Sequence, residues 1–118
     1  MTRSEETIDL LLTRRSVKPM TMTTPGPDAA ELEIILRAGA RVPDHGKLAP
    51  WRFILFQGDA RAAFGELLRG RYAEIEPSAN EDRLALESTR FTRAPLVIAV
   101  ISRVVPSAKA PEWEQRLS

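Results

Sequence analysis

The chain has 118 residues, 43% of them hydrophobic and 28% charged, and its 17 basic and 16 acidic residues leave a net charge of +1. This composition is typical of one globular domain and excludes a disordered or collagen-like chain. With no cysteine and a single histidine, the sequence excludes disulfides, thiolate chemistry and His-rich metal centres, so we expect no metal site. The near-neutral balance favours neither nucleic acid nor an anionic membrane as a partner.

The longest uninterrupted apolar run, residues 96–101, is far shorter than the about 20 residues that span a bilayer. The N-terminus also lacks the basic segment followed by an apolar segment that is typical of a secretory signal. We therefore expect a cytoplasmic protein.

The chain opens with a predicted helix and a loop. Ser4 can cap this helix with its hydroxyl, and the acidic residues that follow suit the positive N-terminal end. Ile8, Leu11 and Leu12 recur at helical spacing and form a short apolar face. The proline-rich segment 19–27 then predicts a loop.

A second helix is predicted from Asp28, since Glu31 follows three residues later in the pattern of a capping box. This helix should end within 39–43, because a proline at position 43 disfavours helical backbone at the residue before it. The segment 43–50 is then a loop, and it holds the single histidine, His45.

A strand is predicted over Trp51–Gln57, which is rich in aromatic and branched residues and is followed by Gly and Asp. Two helices follow in the prediction, the first capped by Asp59 and the second by Ser78, which again has a glutamate three residues later. The second of these helices should include Phe91 and stop at Pro95.

The segment 96–101 is apolar at every position, which is typical of a central strand covered on both faces. A last helix is predicted over 112–117. Strands mixed with helices indicate an α+β or α/β layer fold. Two strands are too few for an ordinary sheet, so we expect residues 1–118 to form a single domain that is incomplete at its C-terminus.

Basic residues cluster directly after the first helix. Arg14, Arg15 and Lys18 with the Ser16 hydroxyl could hold a phosphate through charge-assisted hydrogen bonds. Alternatively, Arg14 and Arg15 cap the C-terminal end of the helix. The residues themselves leave both interpretations open.

A second cluster closes the second helix and opens the next loop. Arg41 could be a helix-end cation, and Arg37 is the expected i+4 partner of Glu33. His45 is either a solvated loop residue or part of a site.

Standard catalytic arrangements are missing from the sequence. It contains no nucleophile elbow, no P-loop, no Gly-rich dinucleotide motif and no zinc-protease motif. A triad of Ser16, His45 and Asp44 is disfavoured, because adjacent Asp and His side chains in a loop are poorly placed to orient one another. We therefore predict no catalytic residue.

Five segments of the chain resemble the nitroreductase family of flavin-dependent NAD(P)H oxidoreductases, closest to its small bacterial branch. They are 8–18 (IDLLLTRRSVK), 35–45 (ILRAGARVPDH), 49–53 (APWRF), 90–100 (RFTRAPLVIAV) and 111–115 (PEWEQ). The resemblance implies an FMN-binding α+β sandwich that works as an intertwined homodimer, with FMN in clefts between the subunits.

The resemblance also implies which residues bind the cofactor. It assigns Arg14, Arg15 and Ser16 to the FMN phosphate and ribityl chain, Lys18 to the N1/C2 edge of the flavin, and Arg41 and His45 to a second approach from the loop after the second helix. Ala49 departs from the family, which commonly has glutamine at this position.

The implied reaction passes hydride from NAD(P)H to the flavin and then to a nitro compound, a quinone or a similar small-molecule acceptor. The family domain continues beyond the segment 111–115, which is the reason to expect an incomplete chain. The alternative hypothesis is a non-catalytic truncated paralogue that acts as a flavin-binding or subunit-interaction remnant. A nucleic-acid-binding role through the arginines is a third hypothesis, which no recognisable motif supports.

Overall fold

The computed structural model describes residues 1–117, except for the side chain of His45. In this part of the chain the helices and strands are α1 Arg3–Thr13, α2 Ala29–Gly39, β1 Trp51–Gln57, α3 Asp59–Ile75, α4 Glu81–Ser88, β2 Leu96–Ser102 and α5 Glu112–Arg116, with 3-10 turns at Pro19–Thr21, His45–Lys47 and Arg90–Thr92. The predicted α+β class is confirmed. None of the described helices combines the length and the apolar character needed to cross a membrane.

Reciprocal capping boxes start the first two helices. At α2 the prediction is confirmed, because Asp28 accepts from the Glu31 amide at 2.8 Å and Glu31 accepts from the Asp28 amide at 3.1 Å. At α1 the predicted cap, Ser4, is wrong: Thr2 and Glu5 form the reciprocal pair, and Ser4 lies inside the helix. The reason is that Thr2 has a glutamate three residues later and Ser4 does not.

The predicted caps of α3 and α4 are also wrong. Asp59 is the first residue of α3, and the cap is Gly58, whose φ of +54° favours a residue without a Cβ. Asn80 caps α4 in place of Ser78, since its side-chain oxygen accepts from the Arg83 amide at 2.9 Å. An asparagine two residues closer to the helix therefore replaces the serine of the sequence pattern.

A cluster of three phenylalanine rings joins β1, α3 and the turn that follows α4. The rings of Phe56, Phe64 and Phe91 have centroids 4.7–4.9 Å apart. Helix α4 ends at Ser88, so the prediction that it includes Phe91 and runs to Pro95 is wrong. Packing of Phe91 against rings from two other elements outweighs its helical spacing in the sequence.

Strands β1 and β2 form an antiparallel pair, with Trp51 opposite Ser102 and Gln57 opposite Leu96. Both strand predictions are confirmed, and residues 58–95 between the strands hold α3 and α4. Strand β2 is mostly half-buried rather than covered on both faces, and within residues 1–117 its only sheet neighbour is β1.

The described chain is open rather than closely packed. Its accessible surface is 9327 Å² and its radius of gyration is 18.3 Å. A compact chain of this length has about 6,400 Å² and about 13.5 Å. Helix α1 contains no buried residue, and Leu12 is 80% exposed. The apolar face of α1, defined by Ile8, Leu11 and Leu12, therefore has no cover within the described chain.

Candidate functional site

The segment 14–18 leaves the end of α1 with unpaired cations. The Arg14 amide donates to the Leu10 carbonyl at 2.9 Å, which closes the helix through the backbone. The side chains of Arg14, Arg15, Ser16 and Lys18 are exposed, and within residues 1–117 they make no hydrogen bond or ion pair. In the described chain the side chains of Arg14 and Arg15 therefore do not cap the carbonyls at the end of α1, which was the alternative interpretation.

The backbone beyond this segment is fixed by a short turn. The carbonyl of Lys18 accepts from the Thr21 amide at 3.0 Å and from the Thr21 hydroxyl at 2.7 Å. Three cations and one hydroxyl are thus presented between a helix end and an ordered turn. Side chains of this kind, without partners of their own, fit a phosphate.

Arg41 lies just beyond α2 beside an open groove of about 590 Å³. The groove is lined by Ile34, Arg37, Ala38, Ala40 and Arg41. Arg37 lies 4.0 Å from Glu33, which confirms the predicted i+4 pair. Arg41 has no such partner in the part of the chain that the structure describes, so its guanidinium remains available to an anion.

Asp44 organises the turn 44–50 between α2 and β1. Its carboxylate accepts from the amides of Leu48 at 3.1 Å and Ala49 at 2.8 Å. Three residues of the turn have a positive φ, namely Gly46 at +73°, Lys47 at +54° and Ala49 at +46°. Left-handed backbone costs a non-glycine residue about 1–2 kcal/mol, and the two hydrogen bonds to Asp44 offset part of that cost.

His45 begins the 3-10 turn inside this segment, and its side chain lies outside the described residues. Its assignment to a cofactor therefore stays a prediction. The neighbouring Asp44 carboxylate serves the backbone of the turn, which gives Asp44 a structural role that sequence reasoning missed. An aspartate ahead of a glycine-containing turn could have indicated it.

The loop that follows β2 supports the turn 44–50 at the same end of the sheet, because Trp51 pairs with Ser102. The Arg103 amide donates to the Pro50 carbonyl at 2.6 Å. Lys109 lies so close to Gly46 that a Cβ on this glycine would be 2.8 Å from the Lys109 Cβ. The loop 103–111 and the turn therefore fit against each other with no spare space at Gly46.

Gln115 of α5, which is only 2% exposed, binds the backbone of this loop through its side chain. Its Nε2 donates to the carbonyls of Val105 at 2.7 Å and Ala110 at 3.1 Å, and its Oε1 accepts from the Val105 amide at 3.1 Å. Sequence reasoning missed this contact, since nothing local marks the glutamine as buried.

A second open groove, of about 620 Å³, lies beside the end of α4. It is lined by Met20, Leu86, Thr89, Arg90, Thr92 and Arg93. Arg90 pairs with the buried Glu87, which also accepts from Arg83 at 2.8 Å. The hydrogen bond from Arg90 lowers the pKa of Glu87 against the opposing effect of burial. We interpret the Glu87 cluster as structural, because Arg83 and Arg90 are both paired with the same carboxylate.

The two predicted basic groups lie on different elements of the described chain, the first after α1 and the second after α2. No hydrogen bond or ion pair in residues 1–117 joins the segment 14–18 to Arg41 or to the turn 44–50. Among the side chains that the structure describes, no three Asp or Glu residues are grouped to hold a metal ion. Fold and site together define an α+β protein whose exposed, unpaired cations suit an anionic ligand.

Comparison with known proteins identifies the family. A family model described as "Nitroreductase family" matches residues 11–116. The "Putative NAD(P)H nitroreductase" of Haemophilus influenzae is 40% identical over 114 residues, and the "Putative NAD(P)H nitroreductase YdjA" of Escherichia coli K12 is 36% identical over 116 residues. The chain belongs to the nitroreductase family, which confirms the resemblance of the sequence. Each match covers 96% of this chain and 60% of the relative's length.

Proposed function

We propose that the protein containing this chain is an FMN-dependent NAD(P)H oxidoreductase that passes hydride from nicotinamide to a nitro compound, a quinone or a similar small-molecule acceptor. The observation that supports this most is the segment 14–18, whose cations have no partner in the described chain. The two family relatives both carry the name "Putative NAD(P)H nitroreductase", which suggests the same class of reaction.

The proposed cofactor contacts follow from the donors that are present. Arg14, Arg15 and Ser16 would hold the phosphate and ribityl chain, and Lys18 would hold negative charge at the flavin edge. Arg41 and His45 would approach from the second loop. FMN, when bound, supplies the hydride chemistry, so the chain needs no nucleophile or acid–base pair of its own.

We further propose that the partner of this chain is a second copy of it. The apolar face of α1 supports this, because a soluble protein rarely leaves such a face in water. The openness of the described chain is also what an intertwined subunit would show when viewed without its partner.

The test begins with an FMN titration of the purified protein, followed by flavin fluorescence. Anaerobic NADH or NADPH should then bleach the yellow flavin absorbance, and a nitroaromatic or a quinone should restore it. A folded, colourless protein that does not quench FMN fluorescence would contradict the proposal. Flavin binding without reduction by either nicotinamide would instead favour the non-catalytic remnant.

A further inference from the structure

We propose that Gln115 is a positioning residue that holds the turn 44–50 in the shape that presents its flavin contacts; this rests on the proposed function for the identity of the ligand. The Gln115 amide has every hydrogen-bonding group in use. Both of its N–H donors and its carbonyl oxygen bind the backbone of Val105 and Ala110, and the side chain is 2% exposed. A neutral amide is the side chain that can donate twice and accept at the same place.

The three hydrogen bonds close the segment 105–110 into a fixed loop. Ala110 at one end of it is 1% exposed, and Val105 at the other end is held through both its amide and its carbonyl. The loop therefore presents one rigid surface to its neighbours, and that surface is set by Gln115.

The neighbour on the far side is the turn 44–50. Lys109 meets Gly46 at the distance where a Cβ would collide, and the Arg103 amide binds the Pro50 carbonyl. The turn also contains three residues with positive φ, so it depends on contacts that hold it in place. Gln115 supplies such a contact through its three hydrogen bonds to the loop.

The turn matters because it carries His45 and begins three residues after Arg41, and these two residues are proposed to approach FMN from this side. Removing the hydrogen bonds of Gln115 should therefore make the turn more mobile and weaken FMN binding, while the α3–α4 region keeps its structure. The role is distinct from that of Asp44, which stabilises the turn from within.

The experiment compares Gln115→Glu with the matched control Gln57→Glu. The first variant places a carboxylate against two carbonyl oxygens, whereas the second makes the same change at an exposed residue at the far end of β1. Hydrogen exchange of the Leu48 and Ala49 amides is measured in the cofactor-free protein. We expect exchange about tenfold faster or more in Gln115→Glu, as the loss of at least one buried hydrogen bond implies, and no change in the control.

The amide of Leu68 in α3 separates local from general loosening. Faster hydrogen exchange confined to the turn supports the proposal. Exchange that is equally faster at Leu68, or unchanged at Leu48 and Ala49, overturns it. Should Gln115→Glu fail to fold, Gln115→Met removes the hydrogen bonds without adding charge, and the same criteria apply to it.

The FMN titration supplies the second readout. The dissociation constant should rise about tenfold in Gln115→Glu and stay constant in Gln57→Glu, in line with the loss of one interaction. If hydrogen exchange in the turn is faster but the FMN dissociation constant is unchanged, Gln115 does not influence cofactor binding. A wild-type protein that does not bind FMN overturns the proposed function, and the exchange data then decide whether Gln115 holds the turn.

Discussion

Gly65 in α3 faces the carbonyl oxygen of Ser88 at the end of α4 so closely that a Cβ on Gly65 would collide with that oxygen. The oxygen belongs to the backbone, so it cannot move aside without shifting the end of α4. Gly65 is also buried. The two helices therefore meet at this point by direct backbone contact, which only a glycine permits.

Gly65→Ala should lower the free energy of unfolding by about 1–3 kcal/mol, the usual cost of overpacking, which exceeds the gain in helix propensity. Urea denaturation measures this difference. The matched control is Gly70→Ala in the same helix, where the added Cβ meets nothing within 4 Å beyond the adjacent backbone of that helix. The control should stabilise the protein by about 0.5–1 kcal/mol. Equal stability of the two variants would contradict the backbone contact.

Arg14→Ala should weaken FMN binding, because the guanidinium is proposed to hold the phosphate. A hydrogen bond to a charged group contributes about 1.5–3 kcal/mol, which corresponds to a rise in dissociation constant of about 10- to 100-fold. Fluorescence titration measures it. Arg3→Ala, at the other end of α1 and likewise exposed, is the control and should leave the constant unchanged. If both variants bind FMN as the wild type does, Arg14 has no part in the site.

Glu87 should make stability depend on pH in the acidic range. The hydrogen bond from Arg90, aided by the charges of Arg90, Arg83 and Arg93, lowers its pKa from the ordinary value of 4.5. The unfolded chain therefore binds a proton at higher pH than the folded chain. The stabilising contribution of Glu87 is complete above pH 4.5 and is lost as the pH falls below it.

Urea denaturation at a series of pH values between 7 and 3 tests this dependence. Glu87→Gln should be less stable than the wild type at neutral pH and should lose less stability on acidification. Glu76→Gln changes an exposed glutamate without an ion pair in the described chain, so its profile should follow the wild type. A Glu87→Gln profile as steep as that of the wild type would show that the Glu87 carboxylate is not the source of the acid sensitivity.

Leu12→Glu should weaken self-association, because it places a charge on the apolar face of α1, where Leu12 is 80% exposed. Burial of a leucine contributes about 1.5–3 kcal/mol, so the association constant should fall at least about tenfold. Sedimentation equilibrium measures it. Leu67→Glu, at a leucine of α3 that is 67% exposed, is the matched control. Equal effects of the two substitutions would show that α1 is not the interface.

Local patterns predicted the elements that depend on neighbours in the chain. The capping box of Asp28 and Glu31 lies within four residues, and the bounds of β1 are those expected from its composition and from Gly58 after it. These patterns cannot decide which of two nearby residues caps a helix, as with Ser78 and Asn80, because serine and asparagine both favour the N-cap position.

Contacts between distant segments could not be predicted in this way. The pairing of β1 with β2, the packing of Phe91 on Phe56 and Phe64, and the burial of Gln115 all depend on the tertiary fold. The candidate site likewise has some features with a local sequence pattern and others that depend on distant contacts. Sequence indicated which cations could bind an anion, such as Arg14 and Arg41. The support of the turn 44–50 by a loop some sixty residues further along has no local pattern.

The antiparallel pairing of β1 and β2 across residues 58–95 has a consequence for the order of folding. Closing such a long flexible segment is entropically costly, and prior formation of α3 against α4 shortens the segment that must close. The helix pair should therefore already be docked in the transition state, and the strands should join afterwards. Stopped-flow refolding tests this order. Most of the stability lost in Gly65→Ala should be accounted for by a lower refolding rate. Val100→Ala, at an exposed position of β2, should instead mainly raise the unfolding rate.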